Sequence, residues 1–422
     1  MRRTSALIIM VVTTFTLISC TSVKTFEKRA QEIIPDPIAY LVDRGLPAYP
    51  CSDVTLFNTG REWNAHTLKR IAEAKEYILV ALFLGNIHEA SYEVWDALAA
   101  KVEEGVDVYV LLDSSSYFQL TPHTNLVVPA AFNYARDVGL KVAEYNPMSA
   151  SHAAFLPLLL DRDHRKFWIF DGEYLAVGGI NLNEASLMIP PETGNIDTMV
   201  EIQSPKAIEA LVDSFIRTWR RYSVEPIDRE AFSIPPKEGL SKTVYLGDHY
   251  VFGSNSVTDL FDALILGAQN EVWMIQGYSF LTKELINRIR EATDRGVKVN
   301  VVLSENAVKV HYEKAAFFGM VDLIDAGATL YLFDGPHHAF LHLKLIVTDD
   351  RYVLFGSANY NLRSQVLSRE IGFLFDDVEI ASRALEHVSF IIDHSRVVDR
   401  EEAETHRGID NRFFNFLMQF IG

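Results

Sequence analysis

The chain has 422 residues, of which 49% are hydrophobic and 11% aromatic, enough for a large core and more than one ordinary domain. Its formal net charge is −17. This charge argues against a protein that tracks a nucleic-acid backbone, because so acidic a chain repels phosphates at long range, although local basic pockets remain compatible with it.

The N-terminus has the features of an export signal. Arg2 and Arg3 form a positively charged start, and the apolar run 6–18 that follows is too short to span a bilayer comfortably. The next residues, "LISC" at 17–20, resemble the bacterial lipoprotein cleavage box, in which the cysteine becomes the lipidated first residue of the mature chain.

We therefore predict a lipoprotein signal peptide over 1–19, lipidation at Cys20, and a tether and lead-in segment over 20–50. An ordinary signal peptide and an uncleaved anchor are the alternatives. With Cys20 lipidated, Cys51 has no partner for an intrachain disulfide. The predicted location is the bacterial cell envelope, lipid-anchored and facing the periplasm, with the choice between outer and inner membrane left open.

Two long stretches of the chain share one pattern. Residues 74–113 and 268–304 each run from a helix end into an apolar strand, then through an amphipathic helix to a Gly-Val turn and a second apolar strand. A shorter pair follows, "DVGLKVAEY" at 137–145 and "DAGATLYLF" at 325–333, each a helix end, a glycine cap and a strand. Apolar strands that alternate with helices predict an α/β fold with a buried parallel sheet.

The repeat is too long for a solenoid or a propeller and indicates duplication of a whole domain. We predict a first domain over 51–222, a linker over 223–245 that contains three prolines, and a second domain over 246–400. The tail 401–422 has apolar residues on most of a helical turn. We favour a C-terminal helix docked on the body, and the alternative is an interfacial segment that touches lipid.

The same short motif occurs once in each half. A histidine is followed two residues later by a lysine and five residues after that by an aspartate, and a glycine and an asparagine come at equal spacings downstream. The first copy consists of His164, Lys166, Asp171, Gly178 and Asn181, and the second of His342, Lys344, Asp349, Gly356 and Asn359.

The spacing predicts where these side chains point. On a strand, a histidine and a lysine two positions apart lie on the same face, and the aspartate has the opposite parity. We therefore expect Asp171 and Asp349 to shape the turn at the strand end. The chain then returns as a second strand, which can bring Asn181 and Asn359 beside the histidines. One buried histidine is usually a satisfied core residue, and the repetition of the whole set argues against that interpretation here.

The pattern HxKx4D followed by G-[GS]-x-N resembles the phospholipase D superfamily, and it is most similar to bacterial cardiolipin synthases in "RDHRKFWIFDG", "LHLKLIVTD" and "GSANYNLRS". The resemblance implies two duplicated α/β domains, related by a pseudo-twofold axis, with the active site at their interface. Two departures are mild: Gly179 replaces a serine in the first copy, and Asp163 stands where an asparagine is frequent.

The resemblance also implies a mechanism. The six motif residues would form the catalytic set, with His164 as the nucleophile that gives a phosphohistidine and His342 as the general acid and base. Lys166 and Lys344 would offset the charge of the phosphate. Asn181 and Asn359 would donate hydrogen bonds to its oxygens.

Each imidazole needs an acceptor that holds its second nitrogen. The resemblance nominates Glu370 for His342 and Asp197 for His164. Glu192 and Glu201 compete with Asp197, and we interpret both as surface charge. The sequence has no Cys/His cluster with zinc spacing and no acidic calcium loop, so no metal or other cofactor is expected.

The expected function follows from the reaction class and the tether. A lipidated cysteine holds the chain beside phospholipid, which favours a phospholipid substrate over nucleic acid. The leading hypothesis is cardiolipin synthase-like transfer of a phosphatidyl group between phospholipids by a monomer with two pseudo-symmetric halves. A hydrolase of the phospholipase D type, a nuclease of the superfamily and an inactive envelope scaffold are the alternatives.

Overall fold

The computed structural model describes residues 33–118, 130–147, 160–187, 194–250, 255–306 and 309–421. Cys20 and the predicted signal peptide lie outside these residues, as does Glu192. Within the described part of the chain, no helix is both long enough and apolar enough to cross a membrane.

Helices and strands alternate along most of the chain, as the repeated pattern predicts. The helices are α1 (Pro37–Asp43), α2 (Gly60–Glu73), α3 (Glu89–Glu103), α4 (Phe132–Asp137), α5 (Glu184–Leu187), α6 (Pro205–Tyr222), α7 (Ser256–Leu266), α8 (Lys283–Asp294), α9 (Val310–Phe318), α10 (Met320–Asp325), α11 (Val378–Asp393), α12 (Arg400–Glu404) and α13 (Ile409–Ile421). The strands are β1 (Ala48–Thr59), β2 (Tyr77–Leu82), β3 (Asp107–Asp113), β4 (Lys141–Tyr145), β5 (Arg162–Asp163), β6 (Phe167–Phe170), β7 (Tyr174–Gly178), β8 (Ile196–Gln203), β9 (Lys242–His249), β10 (Glu271–Gln276), β11 (Lys298–Ser304), β12 (Thr329–Phe333), β13 (Lys344–Thr348), β14 (Tyr352–Gly356), β15 (Ser368–Asp376) and β16 (Ser395–Val397).

The strands of the described chain form one 16-stranded mixed sheet whose order is nearly the same when read from either edge. From one edge the order is β4-β3-β2-β6-β7-β8-β1, and from the other, after β16, it is β12-β11-β10-β13-β14-β15-β9. The parallel pairs predicted from the repeat are β2 with β3 and β10 with β11, and the hairpins β6–β7 and β13–β14 are antiparallel. The prediction of a duplicated, pseudo-twofold α/β fold is confirmed.

The two halves meet at β1 and β9, which pair in antiparallel register from Ala48 with Tyr245 to Cys51 with Lys242. Strand β9 also pairs with β15. The last residues of the segment predicted as a linker, 223–245, therefore belong to the strand that joins the halves. Because hydrogen bonds run across this junction, the halves share one sheet and the site between them has a fixed geometry.

Both faces of the sheet are covered, which explains why its central strands are apolar throughout rather than alternating. In β2, Ile78 and Val80 belong to an apolar cluster with α2 and α3, whereas Leu79 and Ala81 belong to a cluster with α6. That second cluster also contains residues of α11, so one core is shared by the two halves. Helices α7, α8 and α9 cover the remaining face of the second half.

The two motif aspartates shape turns, as their parity predicts. The carboxylate of Asp171 accepts the backbone N–H groups of Lys75, Glu76 and Tyr77 at 2.8–2.9 Å. Asp349 accepts three N–H groups at the start of β10 in the same way. Each aspartate has a positive φ, 49° and 53°, at the hairpin turn. They tie the hairpin that carries the motif to the neighbouring strand.

Candidate active site

The two motifs begin in the middle of the sheet, where β6 and β13 start. His164 follows β5 directly, and its backbone N–H donates to the carbonyl oxygen of Arg369 in β15 at 2.9 Å. His342 follows Leu341, which forms a bridge with Ile196 of β8, and its N–H donates to the Ile196 carbonyl at 2.9 Å. Each histidine is therefore fixed to the backbone of the other half.

The carboxylates that hold the imidazoles also come from the other half. Nδ1 of His164 lies 3.0 Å from both carboxylate oxygens of Glu370, and Nδ1 of His342 lies 2.6 Å from Oδ2 of Asp197. The predicted pairing, Glu370 with His342 and Asp197 with His164, is wrong. Since β15 runs beside β5, and β8 reaches Leu341, each carboxylate faces the histidine of the opposite motif.

The ionisation of these pairs suits the imidazoles for nucleophilic and acid–base work. Burial is the main cause that lowers the pKa of His164 and of His342 to about 4. Although burial opposes it, the neighbouring His164 and Lys166 hold the pKa of Glu370 at about 2. At neutral pH the imidazoles are thus neutral, each donates its Nδ1–H to a carboxylate, and Nε2 carries the lone pair.

The two motif lysines are buried and close to each other. The pKa of Lys166 falls to about 7 and that of Lys344 to about 8, chiefly because of burial, and the charge of Lys344 lowers the pKa of Lys166 further. Each Nζ folds back onto the carbonyl oxygen of its own histidine, at 2.6 Å for Lys166. His164 and Lys166 lie in the connection between β5 and β6, not within one strand as predicted. Two buried cations so placed form a site for an anion.

The two motif asparagines follow the returning strands β7 and β14, in turns with the same hydrogen-bond pattern. The backbone N–H of Asn181 donates to Ser186 Oγ at 3.4 Å, and that of Asn359 to Ser364 Oγ at 3.1 Å. Asn181 uses its side-chain oxygen to accept the Leu84 N–H at 3.1 Å, which leaves its amide N–H groups for a ligand. The serines were missed in the sequence, although they stand at the same spacing from the asparagine in both copies.

The sequence of both halves matches a known protein family. Residues 67–219 and 261–391 match the family described as "Cardiolipin synthase, PLD-like domain". The chain belongs to this family. The predicted membership of the phospholipase D superfamily, and the prediction of an enzyme similar to cardiolipin synthases, are confirmed.

Relatives of this PLD-like chain are similar over most of its length. It is 25% identical over 354 residues to cardiolipin synthase 1 of Staphylococcus epidermidis, covering 82% of this chain and 69% of that protein. It is 23% identical over 351 residues to the minor cardiolipin synthase ClsB of Bacillus subtilis, covering 83% and 84%. The crystal structure of phosphatidylserine synthase from Haemophilus influenzae superposes with a TM-score of 0.72 at 17% identity, covering 92% of this chain and all of the other. That likeness shows the fold.

Gly179, a departure from the family pattern, makes room for the carboxylate that holds His342. A Cβ at Gly179 would lie 2.2 Å from Oδ1 of Asp197. In the second half the corresponding Ser357 donates its hydroxyl to Glu370. The halves therefore use two different pairs, Gly with Asp and Ser with Glu, to present a carboxylate to the opposite imidazole.

The other departure, Asp163, belongs to a buried ionic network behind the site. Arg165 is fully buried and donates to the carboxylate of Asp163 at 2.7–2.8 Å and to Asp248 at 3.1 Å. Arg369 lies 3.7 Å from the same Asp163 carboxylate. Although burial opposes it, the two guanidinium groups keep the pKa of Asp163 below its usual range. This network links the segments on either side of His164.

Aromatic rings lie beside both imidazoles, and the sequence did not single them out. The Phe83 ring stands 4.6 Å from the His164 ring, edge to face, and 5.1 Å from Nζ of Lys166. On the other side, Phe340 and Tyr278 lie 5.8 and 6.5 Å from the His342 ring. These rings surround the polar groups with apolar surface. Their positions in the sequence, just after β2, just after β10 and just before the second motif, are the feature from which they could have been predicted.

Glu201, one of the residues weighed against Asp197, serves neither histidine. It is 4% exposed rather than on the surface, and it accepts hydrogen bonds from Arg70 at 2.7 and 3.0 Å and lies 2.9 Å from His66. Its interpretation as surface charge is wrong. Among the described residues, no group of three or more His, Cys, Asp or Glu side chains is placed to hold a metal ion.

Proposed function

We propose that this PLD-like protein is a membrane-tethered phosphatidyltransferase, which moves the phosphatidyl group of one phospholipid to the alcohol of another through a phosphohistidine. The observation that carries the proposal is the crossed pair of hydrogen bonds, His164 with Glu370 and His342 with Asp197. Both motif lysines lower the pKa of each imidazole, which supports the proposal that the two sets share one phosphate.

The first step would form a bond from Nε2 of His164 to phosphorus as the bond to the leaving alcohol breaks. His342, in its protonated form, gives its Nε2 proton to the departing oxygen. Since burial lowers the pKa of His342 to about 4, the phosphate that binds must raise it. A phosphate anion does so by placing negative charge against the imidazole. His342 therefore takes up a proton from solvent as the anionic substrate binds.

The second step would return the site to its starting state. His342, now neutral, takes the proton of the incoming alcohol, whose oxygen attacks phosphorus and releases His164. Lys166 and Lys344 offset the charge of the equatorial oxygens in both steps. Glu370 holds Nδ1–H of His164 throughout, which supports the positive charge of the phosphorylated imidazole.

The substrate class is supported by three features. The relatives with similar sequences are named as cardiolipin synthases, the rings of Phe83, Tyr278 and Phe340 line the site with apolar surface, and the net charge of −17 disfavours nucleic acid. We further propose that Cys20 is lipidated, that it anchors the chain in the bacterial envelope on the periplasmic side, and that one chain suffices, because both histidines come from the same polypeptide.

The products formed from labelled phosphatidylglycerol test this function. The purified full-length protein in vesicles should yield cardiolipin and glycerol. Phosphatidic acid and glycerol would instead identify a hydrolase of the phospholipase D type, and cleavage of DNA alone would identify a nuclease. No turnover of any of these substrates by the folded protein would overturn the proposal and leave a scaffold.

The covalent intermediate is tested with variants of the two histidines. With a p-nitrophenyl phosphodiester, whose leaving group departs without a proton, His342→Asn should accumulate a covalent adduct on His164, detectable by mass spectrometry of the intact chain, while His164→Asn should form no adduct. His338→Asn is the matched control, because His338 is exposed and its Nδ1 pairs with Asp334. An adduct on His342 would reverse the assignment of the nucleophile.

A further inference from the structure

The C-terminal helix α13 presents several large apolar side chains at the surface of the protein. Ile409, Phe413 and Phe416 are spaced by four and three residues, so they lie on one side of the helix, and they are 90%, 59% and 61% exposed. Val310, at the start of the neighbouring α9, is 66% exposed. A set of large apolar side chains in one place marks an interaction surface more than scattered ones do.

The opposite side of α13 is firmly docked, so the exposure does not come from a loose helix. Asn415 donates to the carbonyl oxygen of Ala315 in α9 at 2.7 Å, and Gln419 donates to that of Leu281 at 3.1 Å. Met418 is buried in the core of the second half. The prediction of a docked C-terminal helix describes this side, and the lipid-touching alternative concerns the exposed one.

A series of ring contacts connects the docked helix with the candidate active site. Phe414 lies 6.1 Å from His311 of α9, the adjacent Tyr312 ring lies 4.9 Å from Tyr278, and Tyr278 borders His342. These ring contacts connect the α9–α13 pair to the aromatic side of the site.

We propose that the exposed face of α13, made of Ile409, Phe413 and Phe416, inserts into the boundary between headgroups and acyl chains of an anionic phospholipid bilayer. The inference rests on the proposed function, since it explains how a membrane lipid reaches this site. Charge supports this occupant: in a chain of net charge −17, residues 411–421 contain Arg412 as their sole charged residue. Asp410, at the helix start, is paired with Lys314 at 2.6 Å.

The position of the helix in the bilayer can be read with a fluorescent probe. Phe413→Cys in the full-length lipidated protein is labelled with an environment-sensitive dye, which spares Cys51 because burial raises the pKa of that thiol to about 12. In vesicles of phosphatidylglycerol and phosphatidylcholine, the emission should shift to the blue and be quenched by nitroxide-bearing lipids. The matched control is Phe390→Cys on α11, where the wild-type side chain is 37% exposed and no quenching is expected.

Activity gives the second readout. The double variant Phe413→Ser/Phe416→Ser should lose about tenfold or more of its rate on vesicle phosphatidylglycerol, as expected when two rings no longer enter the bilayer. Its rate on a short-chain phosphatidylglycerol below the micelle concentration should match wild type. Tyr92→Ser, which removes a 45% exposed aromatic residue of the first half, should change neither rate.

The outcomes are distinct. An unquenched probe at position 413, or equal losses on both substrates, would overturn the docking. A probe that is already shielded without vesicles would also overturn it, by showing that a second copy or another part of the chain covers the face. Quenching at position 413 in a protein that turns over neither substrate would leave the docking in place and remove the proposed function.

Discussion

Substitution of Gly179 by serine should impair the second histidine through its carboxylate. A Cβ at this position would lie 2.2 Å from Oδ1 and 2.6 Å from Oδ2 of Asp197. The carboxylate has to retreat by about 1 Å to reach an ordinary contact distance, and it then loses its 2.6 Å contact with Nδ1 of His342. A displacement of about 1 Å in such a group costs on the order of 100-fold in rate, which corresponds to about 2.7 kcal/mol of barrier.

The assay is kcat/KM on phosphatidylglycerol, with the melting temperature measured to show that the variant is folded. Ser357→Gly is the matched control in the other half, because it removes one hydroxyl that donates to Glu370 and creates no clash. It should lower kcat/KM by about fivefold, the effect of roughly one hydrogen bond. Wild-type kcat/KM in a folded Gly179→Ser protein would refute the spatial argument.

A rescue makes the argument specific to this pair. The double variant Gly179→Ser/Asp197→Glu reproduces in the first half the pair that Ser357 and Glu370 form in the second. The kcat/KM of the double variant should recover to within about tenfold of wild type. Such a recovery would show that the two neighbouring residues are coupled, because independent losses would add. If the double variant has a lower kcat/KM than either single variant, the two pairs are not interchangeable. Gly179 would then not be explained by the space that the Asp197 carboxylate needs.

Three further predictions concern ionisation, stability and location. Because Lys166 and Lys344 have pKa values lowered to about 7 and 8, they lose their charge as the pH rises through that range in the free enzyme, so kcat/KM should fall above about pH 8; a plateau up to pH 10 would contradict this. Asp171→Ala removes the acceptor for three backbone N–H groups and should lower the melting temperature by about 5–10 °C, from a loss of about 3 kcal/mol, while kcat of the folded protein changes by less than about threefold; a large loss of kcat at unchanged melting temperature would instead place Asp171 in the chemistry. Cys20→Ala should move the protein from the membrane to the soluble fraction of the envelope, and unchanged sedimentation with membranes would count against lipidation.

Much of the fold and of the candidate site could be predicted because the information was local and repeated. The parity of side chains along a strand placed Asp171 at a turn, and it is bound there by three backbone N–H groups. The alternation of apolar strands and helices indicated two similar α/β halves. Since each half has the same spacing from histidine to asparagine, the repeated pattern distinguished a candidate active site from an ordinary buried histidine.

The partners of the histidines could not be predicted in the same way. Glu370 and Asp197 each lie closest in sequence to the motif of their own half, whereas contacts between the halves decide which imidazole they hold. Those contacts depend on β5 pairing with β15 and on the bridge between Ile196 and Leu341, which no spacing within one half reveals. The burial of Glu201 escaped prediction for a similar reason, because its partner Arg70 comes from a distant helix.

The crossed pairing is the central claim, and a burst experiment with a p-nitrophenyl phosphodiester tests it most directly. This leaving group departs without a proton, so the first step needs His164 with Glu370 but not His342 with Asp197. We predict that Asp197→Asn retains a burst of p-nitrophenolate equal to the enzyme concentration, while Glu370→Gln loses it. With the adduct located on His164 by mass spectrometry, a burst that survives in Glu370→Gln and disappears in Asp197→Asn would contradict the crossed arrangement.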